Sequence, residues 1–448
     1  MATKSPKIAK RKNGTTPSPR AKKRRSVVLN FINLNAKYTL GEKFKKDFMK
    51  VLEKDHSPFP HWQLRNIVDN SSNIVEVIEE ELQNFGEWKR KENDLYSLYQ
   101  TVDFKALSAS QYPALYSFRR SFCEEVRKWL EGITGIELTD IDCNGSCYAR
   151  ADSLLPHNDL IDTRRFAFVY YLTGADWDCK VDGGASWHRV AEIISDSPRL
   201  SINGWFHSKR RLNAKMPEVE QIPKFVPSKK RKLSNVLNGE YLTKKSKNSV
   251  QKTFADNSEL NLNDFLLPEV HRNVFEELST SEASFEIVGP PNKRHIARLN
   301  SSEVGNLENV ASLTKAMKST TLVKLMSDLT GVNLNGAKSS LKVSRVDKGS
   351  YWVLGDEDAT ASSADGYCLD VHIFVGFGEW NEEAGGELIY IAEDEEEELL
   401  RVTPSENSAA VVFREPGVMY FLKLVNNFAT FPYFLFTLTY YDVNVVDS

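Results

Sequence analysis

Apolar residues recur at helical spacing between residues 113 and 132. Pro113 suits the first turn of a helix, where its missing N–H leaves no hydrogen bond unmade, and Gly132 closes the pattern. Between them, apolar side chains recur every three or four positions, which places them on one helix face: Leu115, Phe118, Phe122, Val126 and Leu130. The pattern predicts a core-facing helix that carries no chemistry itself.

From Ile141 onward the pattern changes to that of strands. Aromatic and β-branched residues dominate, and turn-forming residues separate them. The order of helix and then sheet recurs later in the chain. Four segments of the first half are LEGITGIEL (130–138), ADSLLPHND (151–159), DWDCKVDGG (176–184) and RLSINGWF (199–206). In the same order they align with MSDLTGVNL (326–334), KGSYWVLGDE (348–357), GEWNEEAGG (378–386) and FLFTLTYY (434–441). We infer an internal duplication of one helix-and-sheet domain.

The length of 448 residues also exceeds what one hydrophobic core usually serves. We predict a fold of the α+β class, with a disordered basic tail (1–26), a first domain (27–208), a basic linker (209–255) and a second domain (256–448). The linker prediction depends on the basic, Pro-containing stretch from Lys209 to Lys252, for which direct nucleic-acid binding is the disfavoured alternative.

The tail carries two basic clusters, 10–12 and 22–25, a pattern that favours nuclear import over a merely solvated tail. Five scattered cysteines argue against a disulfide framework and for a reducing compartment. No apolar run reaches the roughly 18 residues of a membrane span. We therefore predict a location in nucleus and cytoplasm and no membrane partner. The formal net charge of −3 excludes no class of partner, because the charges are unevenly spread.

His157 and Asp159 stand two positions apart just before a strand-like run, residues 166–172. Alone, this pair is weak, but His188 follows in a sheet-like segment, and Arg199 comes eleven positions after it. Two histidines and one carboxylate on one face of a metal ion leave three positions open, as in non-haem Fe(II) oxygenases. His157, Asp159 and His188 are therefore the candidate metal ligands.

The open positions suit a co-substrate such as 2-oxoglutarate, whose second carboxylate needs a buried cation. Arg199 fits this need, because a guanidinium stays charged when buried and forms two charge-assisted hydrogen bonds to a carboxylate. Tyr148 and Tyr171 offer phenol donors to the same group. Ordinary packing within the sheet is the equally weighted alternative for both tyrosines.

The segments SCYARADSLLPHNDLIDTRRFAFVYYL, SWHRVAEII and PRLSINGWFH, followed by GPPNKRH and DEEEELLRVTPSENSAAVVFRE, resemble a known family. It is that of the two-domain 2-oxoglutarate- and Fe(II)-dependent prolyl 3-hydroxylases, which act on the decoding-centre protein of the small ribosomal subunit. The resemblance covers nearly all of the chain outside the basic tail and linker. It implies tandem double-stranded β-helix (jelly-roll) domains with flanking helices, of which only the first holds iron.

Carried over by position, the resemblance assigns two sets of site residues: iron ligands (His157, Asp159, His188) and 2-oxoglutarate-binding residues (Tyr148, Tyr171, Arg199). The implied reaction is 3-hydroxylation of a proline in a small-subunit ribosomal protein, with L-ascorbate keeping the iron ferrous. Effects on translation accuracy or termination, and contact with termination factors, are implied as well. The alternative is a catalytically dead member that acts as a binding module for the ribosome or a translation factor.

The second repeat lacks the site residues of the first. In the alignment, Leu354, Leu422 and Phe434 stand opposite the two histidines and the arginine. We therefore expect the second domain to bind neither iron nor 2-oxoglutarate, and to pack against the first domain or hold a protein partner.

The first repeat is shorter than the second. Leu422 lies 36 positions after Gly386, whereas His188 lies four positions after Gly184, so the first domain lacks about 32 residues near 184–188. We interpret VDGGASWHRV as a junction left by a skipped exon, a misjoined gene model or a decayed paralogue. Missing strands would leave unpaired backbone groups and a loosely held site.

Overall fold

The computed structural model describes residues 32–38, 41, 43–48, 61–159, 161–172, 188–210, 223–280, 283–300, 302, 304–354, 366–376, 378–393, 395 and 397–445. The chain forms two compact units, Met1–Met216 and Pro217–Ser448, called unit one and unit two below. Among the helices of these described residues, none combines the length and the apolar character that a membrane crossing requires.

Unit one combines helices with an antiparallel sheet. The strands are β1 (Lys89–Glu92), β2 (Tyr96–Gln100), β3 (Ile141–Tyr148), β4 (Ser153–His157), β5 (Arg164–Tyr171), β6 (His188–Val190) and β7 (Arg199–His207). Their order is β5-β7-β3-β2-β4-β6, and β1 pairs with β2. The helical segments are 43–48, Ile74–Gln83, Pro113–Ser121, the π-helical turn Phe122–Val126, Arg127–Thr134, and the 3-10 turns Ala36–Tyr38 and Phe104–Ala106.

The helix predicted to begin at Pro113 is confirmed, with two differences. All five apolar residues of the predicted face are buried against the sheet and neighbouring helices. The helix passes through a π-helical turn at Phe122–Val126 and continues beyond Gly132 to Thr134. Gly132 is tolerated because a glycine inside a helix costs only about 1 kcal/mol. The helix ends instead where Gly135 adopts the left-handed conformation (φ 68°).

Unit two has a larger antiparallel sheet and four α-helices within its described residues. The strands are β8 (Glu259–Leu262), β9 (Phe285–Val288), β10 (Arg294–Leu299), β11 (Val332–Asn333), β12 (Lys338–Val346), β13 (Tyr351–Trp352), β14 (Cys368–Val375), β15 (Leu388–Ala392), β16 (Glu398–Val402), β17 (Ser408–Arg414), β18 (Val418–Leu422), β19 (Tyr433–Tyr441) and β20 (Asn444–Val445). The sheet order is β16-β15-β18-β13-β10-β12-β19-β14-β17-β8, with β9 on β10, while β11 and β20 form a separate pair. The helices are Lys244–Asn257, Pro268–Ser279, Glu308–Met317 and Thr320–Thr330, with 3-10 turns at Leu233–Asn235, Gly239–Leu242, Val304–Asn306 and Glu382–Ala384.

The two sheets share one strand order. The path β5-β7-β3-β2-β4-β6 of unit one matches β14-β19-β12-β10-β13-β18 of unit two, and the extra strand β1 on β2 matches β9 on β10. Unit two adds β17 and β8 at one end of this path and β15 and β16 at the other. The α+β class with tandem jelly-roll sheets and flanking helices is thereby confirmed, and the shared order agrees with the inferred duplication.

The duplication is also visible in the ends of two helices. Thr134 and Thr330 each donate a side-chain hydrogen bond to the carbonyl four residues earlier, both at 2.7 Å. Each helix then ends at a glycine in the left-handed conformation, Gly135 and Gly331, whose N–H closes the last turn. The shared Thr-Gly pair thus forms the same cap in both units.

The connection that precedes β6 is much shorter than its counterpart before β18. Residues 172–187 separate β5 from β6, whereas residues 376–417 separate β14 from β18. The longer connection contains β15, β16 and β17, which have five, five and seven residues. Sixteen residues cannot supply three such strands and their turns. Of the predicted junction VDGGASWHRV (181–190), residues 181–187 lie outside the described residues and His188–Val190 form β6.

The predicted basic linker differs from the structure in its second half. Leu233, Val236, Leu237 and Phe254 are buried in the core of unit two, and Lys244–Asn257 is a helix. The basic composition misled the interpretation because these lysines cover the exposed face of segments whose apolar residues point inward. The basic tail and residues 211–222 lie outside the described residues.

Candidate functional site

The sheet of unit one has two unlike faces because side chains alternate along each strand. One face packs on the helices and contributes Cys143, Cys147, Leu200 and Ile202 to the hydrophobic core. The other face, called the inner face below, carries polar residues, which are Ser146 and Tyr148 on β3 and Arg199, Ser201 and Asn203 on β7. A polar, partly enclosed sheet face is where a ligand site can form.

The three candidate metal ligands converge where β4 pairs with β6. His157, the last residue of β4, lies opposite His188, the first residue of β6, and their ring centroids are 4.1 Å apart. Asp159 Oδ1 is 3.7 Å from His157 Nε2, and Asp159 Oδ2 is 3.2 Å from His188 Nε2. One ligand atom from each residue lies within 4.8 Å of the others, and over the described part of the chain this is the one group of three with such geometry.

The protonation states suit a divalent cation. His157 Nδ1 lies 2.9 Å from the Leu155 carbonyl, which can only accept, so Nδ1 carries the hydrogen and Nε2 keeps a lone pair facing the other ligands. Burial, and then the neighbouring His188, lower the pKa of His157 and keep it neutral. Burial alone would raise the pKa of Asp159, but the hydrogen bond and charge of His188 outweigh it, so this pKa is lowered and the carboxylate stays ionised.

Arg199 lies at the start of β7, directly opposite Tyr148 on β3. Its guanidinium carbon is 4.9 Å from the Tyr148 ring centroid and 5.3 Å from that of Tyr171. The arginine is only 6% exposed, and its Nε has no hydrogen-bond partner among the described residues. Burial raises the pKa of Tyr148, although the Arg199 charge opposes this, so the phenol stays a proton donor. A buried cation with an unused donor between two phenols is arranged to receive a carboxylate.

Two further polar residues of the inner face escaped the sequence interpretation. The hydroxyl of Ser201 is buried without a partner in the described part of the chain, and the same holds for Asn203 Oδ1. The Asn203 amide nitrogen donates to Ser146 Oγ at 2.8 Å. Because residues two apart on a strand share a face, the spacing of Arg199, Ser201 and Asn203 was the signal that could have identified them.

The corresponding positions of unit two carry other side chains. In unit two, Trp352 pairs with Leu422 at the position where His157 pairs with His188 in unit one. Leu422 is thus the counterpart of His188, as predicted. The counterpart of His157 is Trp352 and not the predicted Leu354. The ladder that begins at Arg199 in unit one begins at Tyr433 in unit two. Phe434, the predicted counterpart, points to the other face and packs with the helix-side core, because a shift of one residue changes the face.

A fully buried polar cluster occupies the inner face of unit two. Asp370 accepts hydrogen bonds from Arg414 Nε at 2.9 Å and Thr439 Oγ1 at 2.6 Å, and the Tyr390 hydroxyl lies 3.3 Å away. His372 Nε2 and the Tyr390 hydroxyl are 2.6 Å apart. Each member is hydrogen-bonded to another member, and His372 Nδ1 also pairs with Thr437 Oγ1, so this face is closed to a ligand at that position.

The chain is similar to curated prolyl 3-hydroxylases along most of its length. It is 30% identical to the prolyl 3-hydroxylase OGFOD1 of Xenopus laevis, over 83% of this chain and 84% of the relative. It is 26% identical to the prolyl 3-hydroxylase OGFOD1 of Mus musculus, over 84% and 86%, and 26% identical to the prolyl 3-hydroxylase sudestada1 of Drosophila melanogaster, over 76% and 75%. Residues 228–448 match a family model described as oxoglutarate and iron-dependent oxygenase degradation C-term.

Two solved structures of prolyl hydroxylases align with part of the chain. A prolyl hydroxylase of Trichoplax adhaerens, in complex with a hypoxia inducible factor peptide, is 18% identical and covers 44% of this chain and 90% of its own, with a TM-score of 0.32. A prolyl-4-hydroxylase of Pseudomonas putida is 14% identical, with 44% and 98% coverage and a TM-score of 0.30. Scores this low transfer no structural detail to the present chain.

Proposed function

The chain belongs to the family of prolyl 3-hydroxylases, which are 2-oxoglutarate- and iron-dependent dioxygenases, and from this premise we propose that unit one hydroxylates a proline in a small-subunit ribosomal protein. One observation carries the proposal. A histidine–aspartate–histidine group and a buried arginine lie on one sheet, and the charges of both Arg199 and Asp159 act on the pKa of Tyr148.

The residues present fit the two groups that such an enzyme binds. His157, Asp159 and His188 would hold Fe(II), because two imidazoles and one carboxylate are the donor set that leaves positions open for a co-substrate. Fe(II) with 2-oxoglutarate, when bound, supplies the oxygen-activating chemistry that turns a proline C–H bond into C–OH while the co-substrate is decarboxylated. The protein's part is to fix the ligands and keep water away.

Arg199, Tyr148 and Tyr171 would hold the distant carboxylate of 2-oxoglutarate. The arginine keeps its charge when buried, and its free Nε–H gives the carboxylate a donor that no described residue already uses. Tyr148 would donate its phenol hydrogen to the same group, because its raised pKa prevents ionisation. Charge-assisted hydrogen bonds of this kind fix orientation as well as adding affinity.

Finer features extend the proposal. A ribosomal protein substrate, an effect on translation accuracy or termination, contact with termination factors and support by L-ascorbate follow from the family resemblance. The two basic clusters of the tail support a location in nucleus and cytoplasm. A protein substrate fits a site that opens to solvent, where the Tyr171 side chain is 50% exposed.

The experiment is to incubate the full chain with small ribosomal subunits, Fe(II), 2-oxoglutarate and ascorbate. Mass spectrometry of the digested proteins should find one proline that gains one oxygen atom, matched by release of succinate. Succinate without a modified ribosomal proline would reject the substrate while keeping the reaction class. Absence of both would reject catalysis by this polypeptide.

A second candidate function follows from the short connection before β6. Tyr171 on β5 is 50% exposed, whereas Phe374 on the matching strand β14 is 2% exposed and shares a core cluster with Leu388 and Tyr390 of the additional strand β15. A site with an open wall holds its ligands less firmly. The chain would then be a catalytically inactive module that binds the ribosome or a translation factor.

Sequencing the transcript across the codons for Gly183 to His188 separates the two candidates. An additional in-frame segment of about the length missing against unit two would favour the enzyme in its complete form. If the junction is the only form, succinate release by this chain decides, and an insertion variant carrying the missing segment is the control.

A further inference from the structure

The turn that follows Asp159 is fixed to the end of strand β7. The Ile161 N–H donates to the Asp159 carbonyl at 2.8 Å, and the Arg164 N–H donates to the Ile161 carbonyl at 3.1 Å. The Ser208 N–H, just beyond β7, donates to the Thr163 carbonyl at 2.8 Å. The backbone of the turn is therefore held against β7, which lies inside the sheet between β5 and β3.

Side-chain hydrogen bonds attach the same turn to two strands. His207 ends β7, and its Nδ1 lies 3.0 Å from the Thr163 hydroxyl oxygen, while its Nε2 lies 3.0 Å from Asp142 Oδ2 on β3. A carboxylate only accepts, so Nε2 carries a hydrogen, and in the neutral ring Nδ1 accepts from the Thr163 hydroxyl. The His207 imidazole thus links β3, β7 and the turn.

Trp205 lies two residues before His207, so its side chain is on the same inner face of the sheet. The Arg164 guanidinium stacks on its ring, with the guanidinium carbon 3.7 Å from the ring centroid. Trp205 Nε1 is buried and has no hydrogen-bond partner in the part of the chain that the structure describes. An unpaired buried donor costs free energy, so this N–H is expected to gain an acceptor in the working protein.

The Asp159 carboxylate is a group on which this N–H acts. Burial raises the pKa of Asp159, whereas the hydrogen bond and charge of His188, the charge of His157 and the Trp205 N–H lower it. Both histidines present Nε2 to the carboxylate, at 3.2 and 3.7 Å. A histidine nitrogen that coordinates a metal ion has no hydrogen to donate. When both histidines are ligands, the Trp205 N–H is therefore the donor that remains among these groups.

We propose that Trp205 is a positioning residue for the metal site, whose indole N–H donates to the Asp159 carboxylate oxygen that does not bind the ion. His207 holds the turn in the place that this hydrogen bond requires. The proposal rests on the proposed function, because it takes Asp159 as a ligand of Fe(II). Groups that hydrogen-bond metal ligands typically contribute about 10- to 100-fold to metal affinity or activity.

The test uses the full chain and Co(II), whose visible absorption reports binding without oxygen or co-substrate. Trp205 is replaced by benzothienylalanine, an analogue that keeps the ring system and has sulfur in place of the indole N–H. We expect the Co(II) affinity to fall about tenfold. An unchanged affinity would overturn the proposal and leave the proposed function standing. If the unaltered chain binds no Co(II), the proposed function fails as well.

The same replacement at Trp88 is the matched control. Trp88 Nε1 is also buried without a partner among the described residues, but its ring packs on Phe85 in the helix-side core. We expect the Co(II) affinity to stay unchanged in this variant. Equal losses at Trp88 and Trp205 would assign the effect to general stability and reject the positioning role.

A second readout follows the hydrogen bond itself. The full chain is labelled with 15N-tryptophan and titrated with Zn(II), and the Trp205 indole N–H resonance is assigned with Trp205→Phe. We expect this resonance to move downfield and its exchange with water to slow as the site fills, because the N–H gains an acceptor. A resonance that keeps its position and exchange rate while Zn(II) binds would contradict the proposal.

The part played by His207 is tested together with Thr163. His207→Phe and Thr163→Val each remove one side of the hydrogen bond, and we expect each to weaken Co(II) binding. The double variant should be no weaker than the weaker single variant, because both act through one contact. Additive losses, or no loss in either single variant, would overturn the role of His207.

Discussion

Units one and two share a path of six strands and use its inner face in opposite ways. In unit one this face is polar and partly open, with the histidine–aspartate–histidine group at one strand pair and Arg199 at another. In unit two the face is closed, because Asp370 and His372 are fully buried and saturated by hydrogen bonds. Strand order therefore provides a scaffold, whereas the side chains at strand ends decide whether it holds a ligand.

The largest expected effect comes from removing a candidate iron ligand. His188→Ala should reduce hydroxylation at least about 100-fold, since loss of groups that merely support metal ligands already costs about 10–100-fold. Succinate release and an anaerobic Fe(II) titration measure it. His61→Ala changes an exposed histidine and is the control. If His188→Ala binds Fe(II) as tightly as the unaltered chain, His188 is not an iron ligand. Unit one would then not differ from unit two by a histidine–aspartate–histidine iron site.

The next effect concerns the buried cluster of unit two. Asp370→Asn leaves the Arg414 charge buried without its partner, and we expect a loss of about 3–5 kcal/mol in unfolding free energy. Hydrogen exchange of the β14 amides measures it. In unit one, Glu137→Gln breaks an exposed pair with Lys209 and should cost less than about 1 kcal/mol. Similar losses in both variants would contradict the assigned burial.

Arg199→Lys tests the co-substrate position with a smaller effect. Lysine keeps the charge but loses the two-pronged geometry, so the KM for 2-oxoglutarate should rise about tenfold while Fe(II) affinity stays within about twofold. Arg120→Lys, on an exposed helix face, is the matched control. If KM is unchanged, the guanidinium does not bind the co-substrate carboxylate.

The smallest effect is a pH dependence confined to unit two. Burial lowers the pKa of His372 from 6.5 to about 4, although the Asp370 charge opposes this shift. The unfolded chain therefore binds one more proton between these values, and stability falls as pH drops from 6.5 towards 4. From pH 7 to pH 5.5 we expect a loss of about 1.2 kcal/mol in the exchange free energy of the β14 amides. His372→Gln should flatten this dependence, and an equal slope in that variant would assign it to other groups.

Local patterns in the sequence predicted much of the fold. The helix from Pro113 was predicted from apolar spacings of three and four, which are set by helix geometry. The sheet from Ile141 was predicted from aromatic and β-branched residues between turns, and the duplication from aligned segments. The convergence of His157, Asp159 and His188 in the structure agrees with the predicted ligand set, whose role in binding iron stays a prediction.

Other features could not be predicted because they depend on strand register. Phe434 was placed opposite Arg199 in the alignment, but its side chain lies on the other face, and a shift of one residue is invisible in aligned segments. Asp370, His372 and Arg414 read as ordinary polar residues, because burial depends on partners that are distant in the sequence.

The position of the last strand in each sheet has a consequence for biosynthesis. β7 and β19 are the final strands of their sheets in chain order, yet each lies inside its sheet, between β5 and β3 or between β14 and β12. The flanking strands have unpaired edges until this strand arrives. Its pairing with β3 joins residues 51–65 positions apart in unit one, and its pairing with β12 joins residues 87–103 positions apart in unit two. A growing chain therefore cannot complete either sheet strand by strand from an edge, and unit two reaches its folded state only after residue 441 has left the ribosome.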